Sequence, residues 1–401
     1  MSGIRARRLA ARRAQRRGAA RRGAMVAVAS VVVALGTVTG MMSALDDGRG
    51  SDEARPEVTS SPRLGPLPAV PSASPSTKSA VSPSPSPSAS KKKEESSPTP
   101  SPTKTERERQ TAAAFTRLYR HPESQVLDWV SANPGDPRRA VIESRIADHP
   151  AAVWFADFTP ATITARVRAV TSGGTAQGRV PVVVSYAIPD RDCGGASQGG
   201  APDLGAYDAW IDAFAAGLGS ADVIVILEPD SIAQADCLSA GARADRFASL
   251  ARAGRVLKTA NPKARVYFDA GHSGWNSAAK QAALLKQAGA ASAGSSDGIF
   301  SNVSNFHRTD AETAYDRQVL DALDGPASLG AVIDTSRNGN GAPAGGQWCD
   351  PSGRKLGRTP TLNTGEAGID GYLWVKLPGE SDGCKGAPGT FTPSYAYDLA
   401  R

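Results

Sequence analysis

Beyond residue 111 the chain is predicted to fold as α/β, with a parallel sheet closing toward a barrel of about seven strands. Three observations predict it. Seven short β-branched runs recur along this region, and stretches of helical periodicity lie between them. About 290 residues remain once the N-terminal segments are set aside, enough for one large domain with a substantial core. Seven strands at that length favour a barrel over an open sheet, and in such barrels chemistry sits on the loops after the strands.

Residues 1–45 come first. The opening 23 residues hold nine Arg and no acid, and residues 24–44 carry no charge. An apolar run behind a positive flank is what export requires, because the flank stays cytoplasmic while the run enters the membrane. The run is close to bilayer-spanning length, long for a signal peptide, and Met42-Ser43-Ala44 is a poor cleavage site. A cleaved signal peptide and a retained anchor both stay open, and both imply an extracellular domain. Residues 46–110 contain PSASPS and SPSPSPS and read as an extended, disordered linker.

The net charge of +7 does not imply nucleic acid. The nine Arg of the first 23 residues account for more than all of it, which leaves the remainder at −2, with no basic surplus to neutralise phosphates.

The expected strands are Val153–Phe155, Val180–Tyr186, Val223–Leu227, Val266–Phe268, Ile299–Val303, Ala331–Ile333 and Tyr372–Val375. Between the second and third, Tyr207, Trp210, Ile211, Phe214 and Leu218 share one helical face, which Gly219 ends. Phe247, Leu250 and Leu257 mark the next helix, stopped by Asn261-Pro262. Asn276 is a candidate N-cap, and Thr309 with Glu312 reads as a capping box. Trp210 belongs to the core.

The four cysteines, Cys193, Cys237, Cys349 and Cys384, all fall in the predicted domain, and none forms a CxxC pair. In an exported chain they read as two disulfides, for which three connectivities exist.

Polar residues cluster after the strands. Tyr186, Arg191 and Asp192 follow the second, Glu228 and Asp230 the third, Asp269, His272 and Trp275 the fourth. Asn302, Asn305 and His307 mark the fifth, Asp334, Arg337 and Asn338 the sixth, and Lys376, Glu380 and Asp382 the seventh; Trp154 lies in the first. Four His without HExxH spacing argue against a metal. There is no GxSxG elbow and no phosphate-binding glycine loop. Acids beside Trp, Asn and Lys suit a sugar chain, whose pyranose faces stack on aromatic rings and whose hydroxyls need donors and acceptors. Glycoside hydrolysis asks for two carboxyl roles, one protonating the leaving oxygen and one activating water.

Seven segments then resemble one family in order: VVVSYAIPDRDC (182–193), VIVILEPDSIA (223–233), VYFDAGHSGW (266–275), SNVSNF (301–306), VIDTSRNGNG (332–341), QWCDP (347–351) and LWVKLPGESDGC (373–384). They are similar to glycoside hydrolase family 6, the inverting β-1,4-glucanases. The resemblance implies a distorted, incomplete α/β barrel, no cofactor and no metal. It implies Asp230 as the acid, Asp192 as the helper that keeps a proton on it, and Tyr186 near the distorted ring. Asp382 is the implied base, directly or through a water relay. Lys376 and Glu380 match sugar contacts, Trp154, Trp275 and Trp348 stacking positions, and His272 and Asn305 polar subsite contacts. The pairing implied is Cys193–Cys237 and Cys349–Cys384. Three positions depart from the pattern: Ala187 where Asn is common, Asp190 where Gly is common, and Ala156 where a small hydroxyl residue is common.

Plainer roles stand beside these. Asp230 and Asp269 suit helix caps, Asp192 a pair with Arg191, Asp334 a pair with Arg337, Trp348 packing on a disulfide, and His307 a structural place. The expected activity is endo-hydrolysis of cellulose or a related β-glucan by a monomer. A cellobiohydrolase, a hydrolase of another bacterial glucan, or a non-catalytic wall-associated glucan-binding protein are the alternatives.

Overall fold

The computed structural model describes residues 117–401, so the expectations for 1–45 and 46–110 lie outside it. In chain order the elements are α1 (Gln125–Ala132), α2 (Arg139–Ile142, running on into a π turn over Glu143–Ala147), β1 (Val153–Phe155), α3 (Ile163–Ala176) and β2 (Val182–Ser185). Then come α4 (Leu204–Ala215), β3 (Val223–Leu227), α5 (Ala240–Ala260), β4 (Ala264–Asp269), α6 (Ala278–Gln287) and β5 (Gly298–Ser301). The last are α7 (Thr309–Leu323), β6 (Gly330–Asp334), β7 (Ile369–Leu373) and α8 (Pro393–Ala400).

All seven strands are parallel and pair in sequence order, β1 to β7. No ladder joins β7 back to β1 among the described residues, so the barrel is incomplete. The two edges nevertheless meet. Ala152 N donates to Trp374 O at 2.9 Å, and Trp154 Nε1 donates to Val375 O at 2.7 Å. These contacts use Trp374 and Val375, which were expected inside the seventh strand but lie just past its end.

The strands read as unbroken β-branched runs because both faces are buried. Along β3, Ile224 and Ile226 point into the barrel with Val182, Val184, Tyr267, Phe300 and Val332, while Val223, Val225 and Leu227 meet the helical layer. That layer includes Tyr207, Trp210, Ile211 and Phe214 of α4, all fully buried. A third cluster joins α1, the π turn and α8 around Trp374 and Leu377.

Local signals were partly misread. α4 stops at Ala215, ahead of Gly219. The chain there is pressed on α3, where a Cβ on Gly217 would fall 2.7 Å from Val167 Cβ. The N-cap of α6 is Ser277, whose hydroxyl accepts from Lys280 N. Asn276 turns inward to Ala233 O and Gln281 Oε1. The capping box of α7 does not form. Thr309 Oγ1 accepts from Asn338 Nδ2, and Glu312 points into the core.

Trp210 is fully buried between α4 and its neighbours. Trp210→Ala is expected to lose about 3–5 kcal/mol, seen as a lower midpoint of denaturant unfolding.

Candidate active site

An open cleft of about 1190 Å³ crosses the strand ends. All eleven of the non-cysteine site residues predicted from sequence line it: Trp154, Tyr186, Asp192, Asp230, His272, Trp275, Asn305, Trp348, Lys376, Glu380 and Asp382. Its walls come from both sides of the β1–β7 seam, Ala152 to Trp154 on one and Lys376 and Leu377 on the other.

Asp230 stands on the turn after β3 with φ 68°, in the left-handed region, as does Glu228 at φ 51°. It caps no helix, because the next helical turn begins only at Ala235. The turn is held from beneath. Asp269, at the end of β4, accepts from Ile232 N at 3.0 Å, Ala233 N at 2.8 Å and Gly271 N at 2.9 Å. Its capping role is thus to a turn, and it also places a carboxylate under Asp230. Burial, then the charges of Asp269 and Asp192, push the Asp230 carboxyl up to about 8, against a smaller opposing effect of Lys376. The acid form therefore prevails at neutral pH. Asp192 contributes, but after burial and after Asp269.

Asp192 does not pair with Arg191. The Arg191 guanidinium is spent on Ala156 O, Tyr186 O and Ser197 O, and lies 4.4 Å from the Tyr186 ring centroid. Asp192 instead accepts from Ser197 N at 2.7 Å. The turn carrying it has three left-handed non-glycine residues, Asp190, Asp192 and Cys193. Asp190, at φ 51°, explains why glycine suits that position, and Arg246 braces the same turn from α5 by donating to Pro189 O at 2.6 Å and Asp190 O at 3.2 Å. Tyr186 is buried, edge-on to Trp154 at 5.3 Å between centroids, and burial raises its hydroxyl pKa.

Across the cleft, Asp382 is engaged by two cations, Arg337 Nη1 at 2.7 Å and Lys376 Nζ at 3.4 Å. This corrects the expected Asp334–Arg337 pair. Asp334 accepts from Ser304 N, Ser336 N and Lys376 N, and so ties the β5, β6 and β7 loops together. Arg337 is fully buried and stacks over Phe306. Burial raises Glu380 to about 7 in spite of Lys376 and Arg337. His272 falls to about 4, through burial and then the His307 ring stacked on it at 4.2 Å. Trp275 and Trp348 are 37% and 57% exposed, so each offers a ring face to the open cleft.

The cysteines pair as Cys193–Cys237 and Cys349–Cys384. The first staples the Asp192 turn to the segment after Asp230; the second staples the Trp348 loop to Asp382. Two acids that support the site were given no role from sequence. Asp350 accepts from Asp382 N, Cys384 N and Lys385 N, and Glu228 accepts from Ala187 N and Ile188 N. Their signal was only an acid inside an otherwise assigned motif.

A model of the glycosyl hydrolases family 6 matches residues 109–396. The chain belongs to glycosyl hydrolases family 6. It is 52% identical over 291 residues to Endoglucanase 1 of Streptomyces sp. (strain KSM-9), covering 72% of this chain and 79% of that protein. It is 49% identical over 284 residues to Endoglucanase A of Thermobispora bispora, covering 71% of this chain but 61% of that longer protein. Among solved structures, the endoglucanase Cel6 of Mycobacterium tuberculosis, bound to a methyl-cellobiosyl-thio-cellobioside, superposes with a TM-score of 0.66 at 41% identity, over 71% of this chain and 97% of that one. This family 6 chain is a glycosidase.

Because Asp269 lies under Asp230, Asp269→Asn is expected to lower the Asp230 pKa. Activity that needs protonated Asp230 is lost as pH rises through about 8 in the wild type. In the variant the alkaline limb of the pH profile of kcat/KM moves to lower pH.

Proposed function

We propose that this family 6 glycosidase cleaves internal β-1,4-glucosidic bonds of cellulose or a related β-glucan with inversion, and that Asp230 is its acid. The observation that carries the proposal is Asp230 held near a pKa of about 8 on the floor of a cleft flanked by exposed Trp275 and Trp348. A general acid has to be protonated before it acts, and burial beside two further carboxylates provides that.

Glucosyl units stack on Trp275, Trp348 and Trp154, with His272, Asn305, Lys376 and Glu380 meeting hydroxyls. Tyr186 stands beside Trp154 where the ring to be cleaved distorts. Asp230 protonates the leaving oxygen while water attacks the opposite face of the sugar. Asp192 then faces Asp230 as its electrostatic partner. Asp382 is held by Arg337 and Lys376 on the far side of the cleft. It serves as the base, directly or through a water relay. The open cleft favours attack within a chain over attack at its end.

Two disulfides fit folding outside the cytoplasm, in keeping with an N-terminal export signal or anchor at 1–45, a linker over 46–110 and a catalytic domain over 111–401. The partner is the polysaccharide, and the protein works as a monomer.

Asp230→Asn keeps the shape and removes the proton. Reducing-end release from carboxymethylcellulose is expected to fall by roughly 10²–10⁴ in kcat, with binding retained. An NMR time course should show the product anomer inverted; a retained anomer contradicts the mechanism.

A further inference from the structure

α7 carries two acids, Glu312 and Asp316, one helical turn apart and both fully buried. Among the described residues neither forms an ion pair with Lys or Arg. Each uses one oxygen. Glu312 Oε1 accepts from Ser273 N at 2.9 Å, and Asp316 Oδ2 accepts from Ser301 Oγ at 3.0 Å. The other two oxygens, Glu312 Oε2 and Asp316 Oδ1, are buried with no other partner. Two buried anions one helical turn apart with no countercharge are costly, and a proton on one of the two carboxyls removes that cost.

The atoms that the pair does hold stand next to cleft residues. Ser273 lies between His272 and Trp275, and Ser301 immediately precedes the Asn302–Asn305 turn. We propose that Glu312, sharing a proton with Asp316, is a positioning residue for the substrate-binding loop 271–276. Its grip on the Ser273 amide sets where His272 and Trp275 stand. The proposal rests on the glucanase function above.

Burial raises both carboxyls above the usual range, and the charge of Glu312 adds to the rise at Asp316. The sign follows: a raised pKa lets the proton go only at higher pH than from an ordinary carboxyl, and the two buried anions then repel across one helical turn, which loosens the loop as pH rises. The other titratable groups near the pair are Tyr315 on α7, Asp269 on β4, and the stacked His272 and His307. The histidines are neutral in that range, and Tyr315 Oη is occupied as a donor to Ala270 O.

The test uses Glu312→Met, which keeps bulk and removes the acceptor, and Glu312→Gln, which keeps the Oε1 acceptor and donates an amide hydrogen to Asp316. With Glu312→Met, hydrogen exchange of backbone amides in 271–276 should quicken by about ten-fold or more, and KM for a soluble cello-oligosaccharide should rise about five-fold with kcat within about two-fold. Glu312→Gln should match the wild type at neutral pH and lack its alkaline rise in KM and in loop exchange. The Gln profile also decides the matter should the Met variant not fold. A Met variant that melts earlier but leaves loop exchange and KM unchanged, or a Gln variant that keeps the alkaline rise, overturns the proposal. A wild type inactive on every β-glucan refutes the glucanase function instead, and the exchange comparison still decides the positioning role.

Discussion

Buried carboxylates at the strand ends, accepting backbone N–H groups of neighbouring loops, are the constraint on which the rest of this structure depends. Glu228 after β3 holds Ala187 and Ile188 of the β2 loop. Asp269 at the end of β4 holds Ile232 and Ala233 of the β3 loop. Asp334 at the end of β6 holds Ser304 of the β5 loop and Lys376 of the β7 loop. Loops at a barrel mouth have no ladder of their own, and unpaired N–H groups so close to the core are costly. An acid on the adjoining strand answers that cost with charge-assisted bonds and fixes the loop relative to the sheet. One of these acids, Asp269, also lies beneath Asp230, and after burial its charge is the largest cause of the raised proton affinity of Asp230. Loop geometry and acid chemistry thus have one origin.

Much of the architecture was legible in the sequence because its signals are local. Seven β-branched runs located seven strands, and the Tyr207–Phe214 face located α4. What stayed hidden was partner choice. Asp334 and Arg337 are three residues apart and read as a pair, yet the strand sends Asp334 to three amides and leaves Arg337 to Asp382, 45 residues later. Thr309 and Glu312 have capping spacing, but Glu312 is claimed by a loop from a different strand. Proximity in sequence is a poor guide to pairing where every strand end meets both neighbours in space.

The candidate site shows the same division. Ten of the eleven predicted residues stand in or just after strands, where a barrel gathers its loops, and Trp348 came from the family resemblance alone; all eleven line the cleft. Their electrostatic ranking was not legible. Sequence suggested Asp192 as the group holding the proton on Asp230; burial and Asp269 precede it, and only depth in the fold reveals that. Asp190 shows the converse. In sequence its departure from glycine is only a change of residue type; the backbone, at φ 51°, makes it a conformational one.

The seam between β1 and β7 carries a consequence of shape. A mouth ringed on all sides by loops is a socket, and a polymer enters a socket only by its tip. Here the rim is slit where β1 and β7 meet through two hydrogen bonds, from Ala152 N and Trp154 Nε1, in place of a strand ladder, and the cleft is lined from both sides of that gap. A slit rim is a track. A long molecule can settle into it sideways, anywhere along its length, and lift away without being unthreaded.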